Sequence, residues 1–500
     1  MIKKRLLFIG IGVLVCALLV VGILLIQKID PMEDPPEEDL DFGLTITDEG
    51  IKVYHFTPVS VDYMEVKNTF DTYRVRMEGK NVYIVDFEMI PLLSASASGL
   101  FYSVETLALE TIVDPDCQNM SRFGLDDPQA TITIKAHSGA EVTFYIGDET
   151  LTKDYYYMSV AGETTVYLID DMLAERYLMS IREYCDPKIY KTFVPLDDFQ
   201  ALKINSPVYP SYQIRRTTEE EQKTDAMLFS GVVMTSPFRW GVDTGCIENV
   251  MATMVALIAD EVVQVCVTDA DLPQYGLDAA SRTELVLSVY ADPNPTTYNN
   301  GVNPYYDSSK PTGKYENFDV TYYIGKTVDH TVYVMFEDRP VVYAISDEVF
   351  SWLEWTPYRY CSKMLFAEYL QDLADLSVTI PNDGTYSFTI TGAESSDRDD
   401  LRVTCNGISL DGQSFRTYYS NLIGMYPTGE ASMPENAGAP VFEINYKTKN
   451  GSSHSLKFYS INDRNCAVNI DGETHLSVRI TEVEKAINNL HKLLKGQSIT

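Results

Sequence analysis

The sequence predicts an α+β protein: an N-terminal transmembrane helix followed by tandem modules of antiparallel sheet with flanking helices. Three observations carry that expectation. After a short basic start, the chain runs through an apolar stretch without a single charge. Short stretches alternating apolar and polar residues recur around Gly-containing turns, as half-buried hairpins do. One element, an aromatic residue followed by Gly-Leu-Asp and then a strand, is written twice, as "RFGLDDPQATITI" and "QYGLDAASRTELVLSV".

The chain starts with the basic stretch Met1-Ile-Lys-Lys-Arg5, and residues 6–26 then carry no charge. As a helix that run spans a hydrocarbon core of ~30 Å. A cleaved signal peptide would have a shorter apolar stretch and an Ala-x-Ala-like site, whereas the exit reads "LLIQKIDPMEDPP". A lipid-modified cysteine fits poorly, because Cys16 lies mid-run behind Val15. The reading is an uncleaved anchor within residues 1–28, with the lipid bilayer as the partner of residues 6–26. Lys3, Lys4 and Arg5 favour a cytoplasmic N-terminus, so the bulk of the chain is expected outside the cell membrane. Residues 29–43 follow as an acidic, Pro-rich spacer, stiff and extended.

Composition narrows the rest. With 500 residues the chain exceeds one ordinary core, and 45% hydrophobic with 22% charged residues is a globular balance. A formal charge of −33 argues against nucleic acid and against close contact with anionic lipid. Beyond the anchor stand Cys117, Cys185, Cys246, Cys266, Cys361, Cys405 and Cys466, with no Cys-x-x-Cys among them. Domains large enough to fold on their cores need no disulfide frame, so most are read as buried free thiols, one disulfide staying open.

Three modules follow, over 44–190, 191–365 and 366–500. In the first, an amphipathic helix places Leu100, Val104, Leu107 and Thr111 on one face. Gly124-Leu125-Asp126 then leads into a hairpin turning at Ser138-Gly139 and ending in Ile146-Gly147. "YYYMSV", a turn at Gly162-Glu163, "TVYLI" with Tyr167, and a helix opening at Asp170 complete it. The second module repeats the order. Its helix carries Ile247, Val250, Met251, Met254 and Ile258, and Gly276-Leu277-Asp278, Ile324-Gly325, Tyr343 and a Ser346-led helix follow. Residues 293–313 are inserted into its hairpin. The third module has a helix face of Phe415, Tyr418, Tyr419 and Leu422, and a hairpin on Asn450-Gly451. It ends in a helix led by Thr481-Glu-Val-Glu484, read as a capping box, and it lacks Gly-Leu-Asp. Gly124 and Gly276 are expected at positive φ, and Asp126 and Asp278 as acceptors of turn hydrogen bonds.

On these residues the chain resembles the bacterial family called domain of unknown function 4340. The resemblance rests on the aromatic-Gly-Leu-Asp with Pro128 nearby, the hairpin ending in Ile-Gly, the Tyr-rich strand, and Val-Tyr-x-Ile before a helix. It is clearest over residues 66–192 and recurs through Gly276, Leu277, Asp278, Tyr323, Ile324, Gly325, Val342 and Tyr343. It implies an exterior protein with an N-terminal anchor, accessory to an ABC-type transport system, with an ABC permease or its auxiliary subunit as partner. It implies no catalytic residue.

No constellation of catalytic chemistry stands against that expectation. The histidines, His55, His137, His330, His454, His475 and His491, are scattered, with no His-Glu-x-x-His. Gly-x-Ser-x-Gly and a Walker-type loop are absent, and "SASASG" at Ser94 reads as a helix cap. "SSDRDD" from Ser395 reads as a solvated acidic turn. No cofactor, metal or catalytic residue is therefore expected. The expected function is a non-enzymatic, membrane-anchored accessory or scaffold of a cell-envelope transport complex. One alternative is an envelope glycan- or peptide-binding module, whose aromatic surface would be Tyr298, Tyr305 and Tyr306 in the insertion. The other is an envelope hydrolase of unrecognised type, resting only on the acidic content.

Overall fold

The computed structural model describes residues 43–188, 198–255, 257–294, 296–298, 301–302, 311–337 and 339–499. The anchor and most of the spacer lie outside them, and among the described residues no helix is long and apolar enough to cross a membrane. The chain forms two compact units, the first ending at Cys185 and the second beginning at Asp186. The fold is α+β, and every paired strand is antiparallel to its neighbour.

The first unit holds an eight-stranded sheet. Its order is Asn81–Ile84, Thr72–Glu78, Val61–Asn68, Ala130–Ala136, Glu141–Glu149, Tyr155–Val160, Val166–Asp170 and Ile112–Asp114. Alternation drives it: Ala130, Ile132, Ile134 and Ala136 are buried while the residues between are half-buried. The helix Ser94–Tyr102 covers one face with Ala97, Leu100 and Phe101. It is shorter than the sequence suggests. Thr106–Leu109 is a strand that pairs with Lys52–His55 in a separate three-stranded sheet, so Leu107 is buried from a strand and not from the helix. "SASASG" also supplies the turns of this helix rather than its cap, since Leu93 stands at the N-cap without a side-chain bond. Asp170 caps Asp171–Leu178 by accepting from Met172 N, as read.

The second unit contains two nine-stranded sheets of one topology. The earlier runs Trp240–Gly241, Val232–Ser236, Tyr212–Arg216, Phe199–Asn205, Thr283–Ala291, Glu316–Val328, Thr331–Phe336, Arg339–Ser346, Glu261–Val265. The later runs Ile408–Leu410, Arg402–Cys405, Gly384–Thr391, Leu373–Ile380, Phe442–Thr448, Ser453–Ser460, Asn465–Ile470, Glu473–Arg479, Gly429–Glu430. In each, four strands lead to a helix, then a short strand that closes the far edge, then four more strands. The helix Thr244–Val255 buries Ile247, Val250, Met251 and Met254, but Ile258 lies beyond it and is exposed. In the last module Phe415, Tyr418, Tyr419 and Leu422 of Gly412–Ile423 pack with Val483, Ala486, Leu490 and Leu493 of Ile480–Leu494 in one core. The latter helix begins at Ile480 with Arg479 at its cap, so Thr481 is already helical and forms no capping box. A capping box does form at Thr218 and Glu221. At the insertion, buried Asp292 accepts from Gly313 N at 2.6 Å and ties its two ends together.

All seven described cysteines carry free thiols, and all but Cys266 are buried.

Candidate functional site

The repeat signature is a packing device. Gly124 and Gly276 both adopt φ +66°, the left-handed region open to glycine at little cost. That turn drives Leu125 and Leu277 into the interior and lays the preceding carbonyl, of Phe123 or Tyr275, against Gly147 or Gly325 on the hairpin. Asp278 accepts from Ala280 N at 3.1 Å, as a turn aspartate should, whereas Asp126 is exposed and accepts no hydrogen bond among the described residues. Tyr167 and Tyr343 are buried on their strands, and Tyr167 donates to Glu163 at 3.1 Å. None of these residues lines the cavities described next. Tyr298 lies in a short strand pair, Thr297–Tyr298 with Gly301–Val302, and Tyr305 and Tyr306 fall outside the described residues.

A cavity opens elsewhere, on the seam between the two sheets of the second unit. Met227 and Trp240, from the earlier sheet's side, pack against the core of the later one. Phe238 stacks on His475, with ring centroids 4.2 Å apart and planes 7° from parallel. Tyr358 donates its hydroxyl to Pro427 O at 3.0 Å, and its amide to Glu430 at 3.0 Å. Between these contacts lies a space of about 330 Å³, walled by Met227, Leu228, Trp240, Leu365, Tyr446 and Leu476. A second space, of about 680 Å³, also has Glu368 in its wall and is bounded by Phe229, Met364, Ile423 and Lys449. Sizes in this range suit small ligands and single side chains of a partner.

Charged groups line the walls in a definite order. Asp471 Oδ2 lies 2.7 Å from His454 Nδ1, and Asp471 Oδ1 accepts from Ser455 N at 2.8 Å. His475 Nε2 faces Glu473 at 3.2 Å. Arg239 reaches Glu221 at 3.1 Å and Asp225 at 3.8 Å. Glu221 is also held by Arg215 and by Thr218 N, and these bonds, Arg215 first, keep its carboxyl well below the usual range. Glu368 differs. Burial lifts its carboxyl above the ordinary value, His454 opposes, and Asp372 and Asp225 add to the rise. No hydrogen bond or ion pair among the described residues reaches that carboxylate; only its backbone carbonyl is engaged, by the Tyr419 hydroxyl at 2.7 Å.

Sequence reading missed this seam. Its residues come from positions 225–241, 365–368 and 446–476, brought together only by the packing of two sheets. The one local signal was "SPFRWG", two large aromatics beside an arginine in a turn-rich stretch. Among the described residues no group of three or more His, Cys, Asp and Glu side chains is placed to hold a metal.

The family model described as "Domain of unknown function (DUF4340)" matches residues 90–280 and again 233–425. The chain belongs to the DUF4340 family. Each matched stretch begins ahead of a module's helix and runs into the following module. The second DUF4340 match therefore takes in the first four strands of the last sheet and the helix Gly412–Ile423. No curated protein and no solved structure matches the chain.

Proposed function

We propose that this DUF4340 protein is a non-enzymatic, membrane-anchored accessory that stands outside the cell membrane and holds a partner of an ABC-type envelope transport complex. The observation that carries this reading is the array itself: tandem family copies behind an apolar N-terminal run with a basic start. The anchor over residues 6–26 sets the protein on the bilayer, the acidic spacer sets its height, and the sheets offer the contact surfaces. Family resemblance supplies the transport context. Cross-linking of native membranes carrying the tagged full-length chain, read by mass spectrometry, is the test. An ABC permease or its auxiliary subunit joined to the modules supports the proposal; a chain that cross-links to no membrane protein overturns it.

A second reading, an envelope module that binds a peptide, is favoured by one observation. The aromatic and apolar cavity between the last two sheets, with Trp240 and Tyr446 on its walls, has the make-up of a recognition groove. It replaces Tyr298, Tyr305 and Tyr306 as the place where a ligand would be sought.

A further inference from the structure

We propose that the seam of the second unit recognises a lysine side chain of an extended peptide, with the ammonium on Glu368. The inference rests on the peptide-binding reading and is independent of the transport assignment.

The geometry selects a cation. Glu368 is the residue common to the walls of both cavities. Its neighbours are engaged: Asp471 with His454 and Ser455 N, Asp225 with Arg239 and Met227 N, Glu473 with His475. Of the five carboxylates on the two cavities, Glu368 and Asp372 make no side-chain hydrogen bond or ion pair among the described residues, and Glu368 is the one that lines both. A half-buried carboxylate without a partner is an unfavourable arrangement that a bound cation relieves. Arg239, His454 and His475 on the first wall are taken up by Asp225, Asp471 and Glu473, so an anionic ligand would meet Glu368 and Asp372 without a free countercharge on that wall.

The walls select an alkyl stem. Met227, Leu228 and Leu365 in one cavity, and Phe229, Met364 and Ile423 in the other, leave an apolar approach to the carboxylate. A lysine carries four methylenes that pack on such surface while its head reaches an acceptor. Trp240 and Tyr446 add aromatic faces, which attract a cation. A neutral sugar could satisfy the rings but would leave the carboxylate uncompensated. The two cavities that Glu368 lines, of about 330 and 680 Å³, together exceed what one free amine fills. They therefore point to a chain that presents the lysine and lays its flanking residues along the groove.

The test uses purified full-length protein in detergent and a dansyl-labelled alternating Ala-Lys peptide, followed by fluorescence anisotropy. Saturable binding is expected, weakened roughly tenfold by Glu368→Gln and abolished by Glu368→Lys. Glu484→Gln, an exposed change on the final helix, controls for the chain's overall negative charge and should leave affinity within about twofold. Glu368→Gln removes an unpaired charge, so it should melt no earlier than the parent chain. Equal weakening by the Glu368 and Glu484 variants, tighter binding of an alternating Ala-Glu peptide, or no saturable binding to folded protein would each overturn the proposal. Either result leaves the transport reading to its own cross-linking test.

Discussion

The carbonyl oxygen of Phe123 occupies the space into which a Cβ on Gly147 would project. Leu125 Cδ2 stands 3.0 Å from the same point, so the hairpin and the Gly-Leu-Asp turn meet with no room for a side chain. Tyr275 O and Gly325 repeat the arrangement in the next module. The last module lacks both halves of it. Counting one residue on from Phe458, which pairs with Phe442 as Ile146 pairs with Ala130, brings the strand to Tyr459 and not to glycine. Where the turn is absent, the small residue opposite it is absent too.

Gly147→Ala therefore forces backbone apart and is expected to destabilise the first unit by about 1–3 kcal/mol or more. Gly325→Ala should do the same to the second unit. Gly162, at φ +82° with open space around it, serves as the comparison; alanine there costs about 1–2 kcal/mol from conformation alone. Urea unfolding of each variant, followed for both units separately, checks the order. Equal losses at Gly147 and Gly162 would mean that the close approach is not what fixes the turn.

The buried pair Tyr212 and Tyr360, with hydroxyls 2.6 Å apart, gives an asymmetric expectation. Tyr360 also reaches Trp352 O at 3.5 Å, whereas the Tyr212 hydroxyl has no other hydrogen bond among the described residues. Tyr360→Phe strands the Tyr212 hydroxyl and should cost about 1–3 kcal/mol. Tyr212→Phe leaves Tyr360 a partner and should cost less. The two midpoints in urea, measured side by side, decide it.

Much of this was legible in the sequence, and the reasons are local. Hairpins announced themselves through alternation and turn glycines, as at Ser138-Gly139 and Asn450-Gly451, where the glycines take φ +88° and +98°. The positive φ of Gly124 and Gly276 followed from the same chemistry. Helix ends were harder. Leu107 kept a helical spacing from Leu100 and Val104, yet pairing with Lys52–His55 won the segment for a strand. Thr481-Glu-Val-Glu484 has the composition of a capping box, but strand Glu473–Arg479 runs so close to the helix that Arg479 takes the cap. The seam at Glu368 left only "SPFRWG" as a local signal, because its walls are distant in sequence and a sheet-to-sheet contact sets its shape.

Stability of the second unit should fall in acid through Glu221. Its folded carboxyl is held well below the ordinary glutamate range by Arg215 first, then Thr218 N and Arg239. A depressed folded value means that the contribution is complete above the unfolded value and is lost as pH falls below it. Melting temperatures between about pH 7 and about pH 3 should drop in the parent chain and decline less steeply in Glu221→Gln. Parallel curves would remove Glu221 from the acid limb.

Thiol reactivity offers a fourth check. Burial pushes the Cys361 thiol up to about 12, and the Cys405 and Cys466 thiols up to about 11. Among the described cysteines only Cys266 is not buried. At about pH 8 a disulfide reagent should modify Cys266 first in native protein and the other six only on unfolding. Rapid native labelling of Cys361 would contradict the packing described here.

Whether the folded modules hold a membrane partner is tested most directly by photo-cross-linking from single positions in living cells. A photoreactive residue at Phe229, exposed on the rim of the seam, is compared with one at Leu151, fully exposed on the first unit. Capture of a transport subunit of the same membrane from either position is the expected result. Capture of no membrane protein from both, while the chain remains folded and abundant, would contradict a membrane partner.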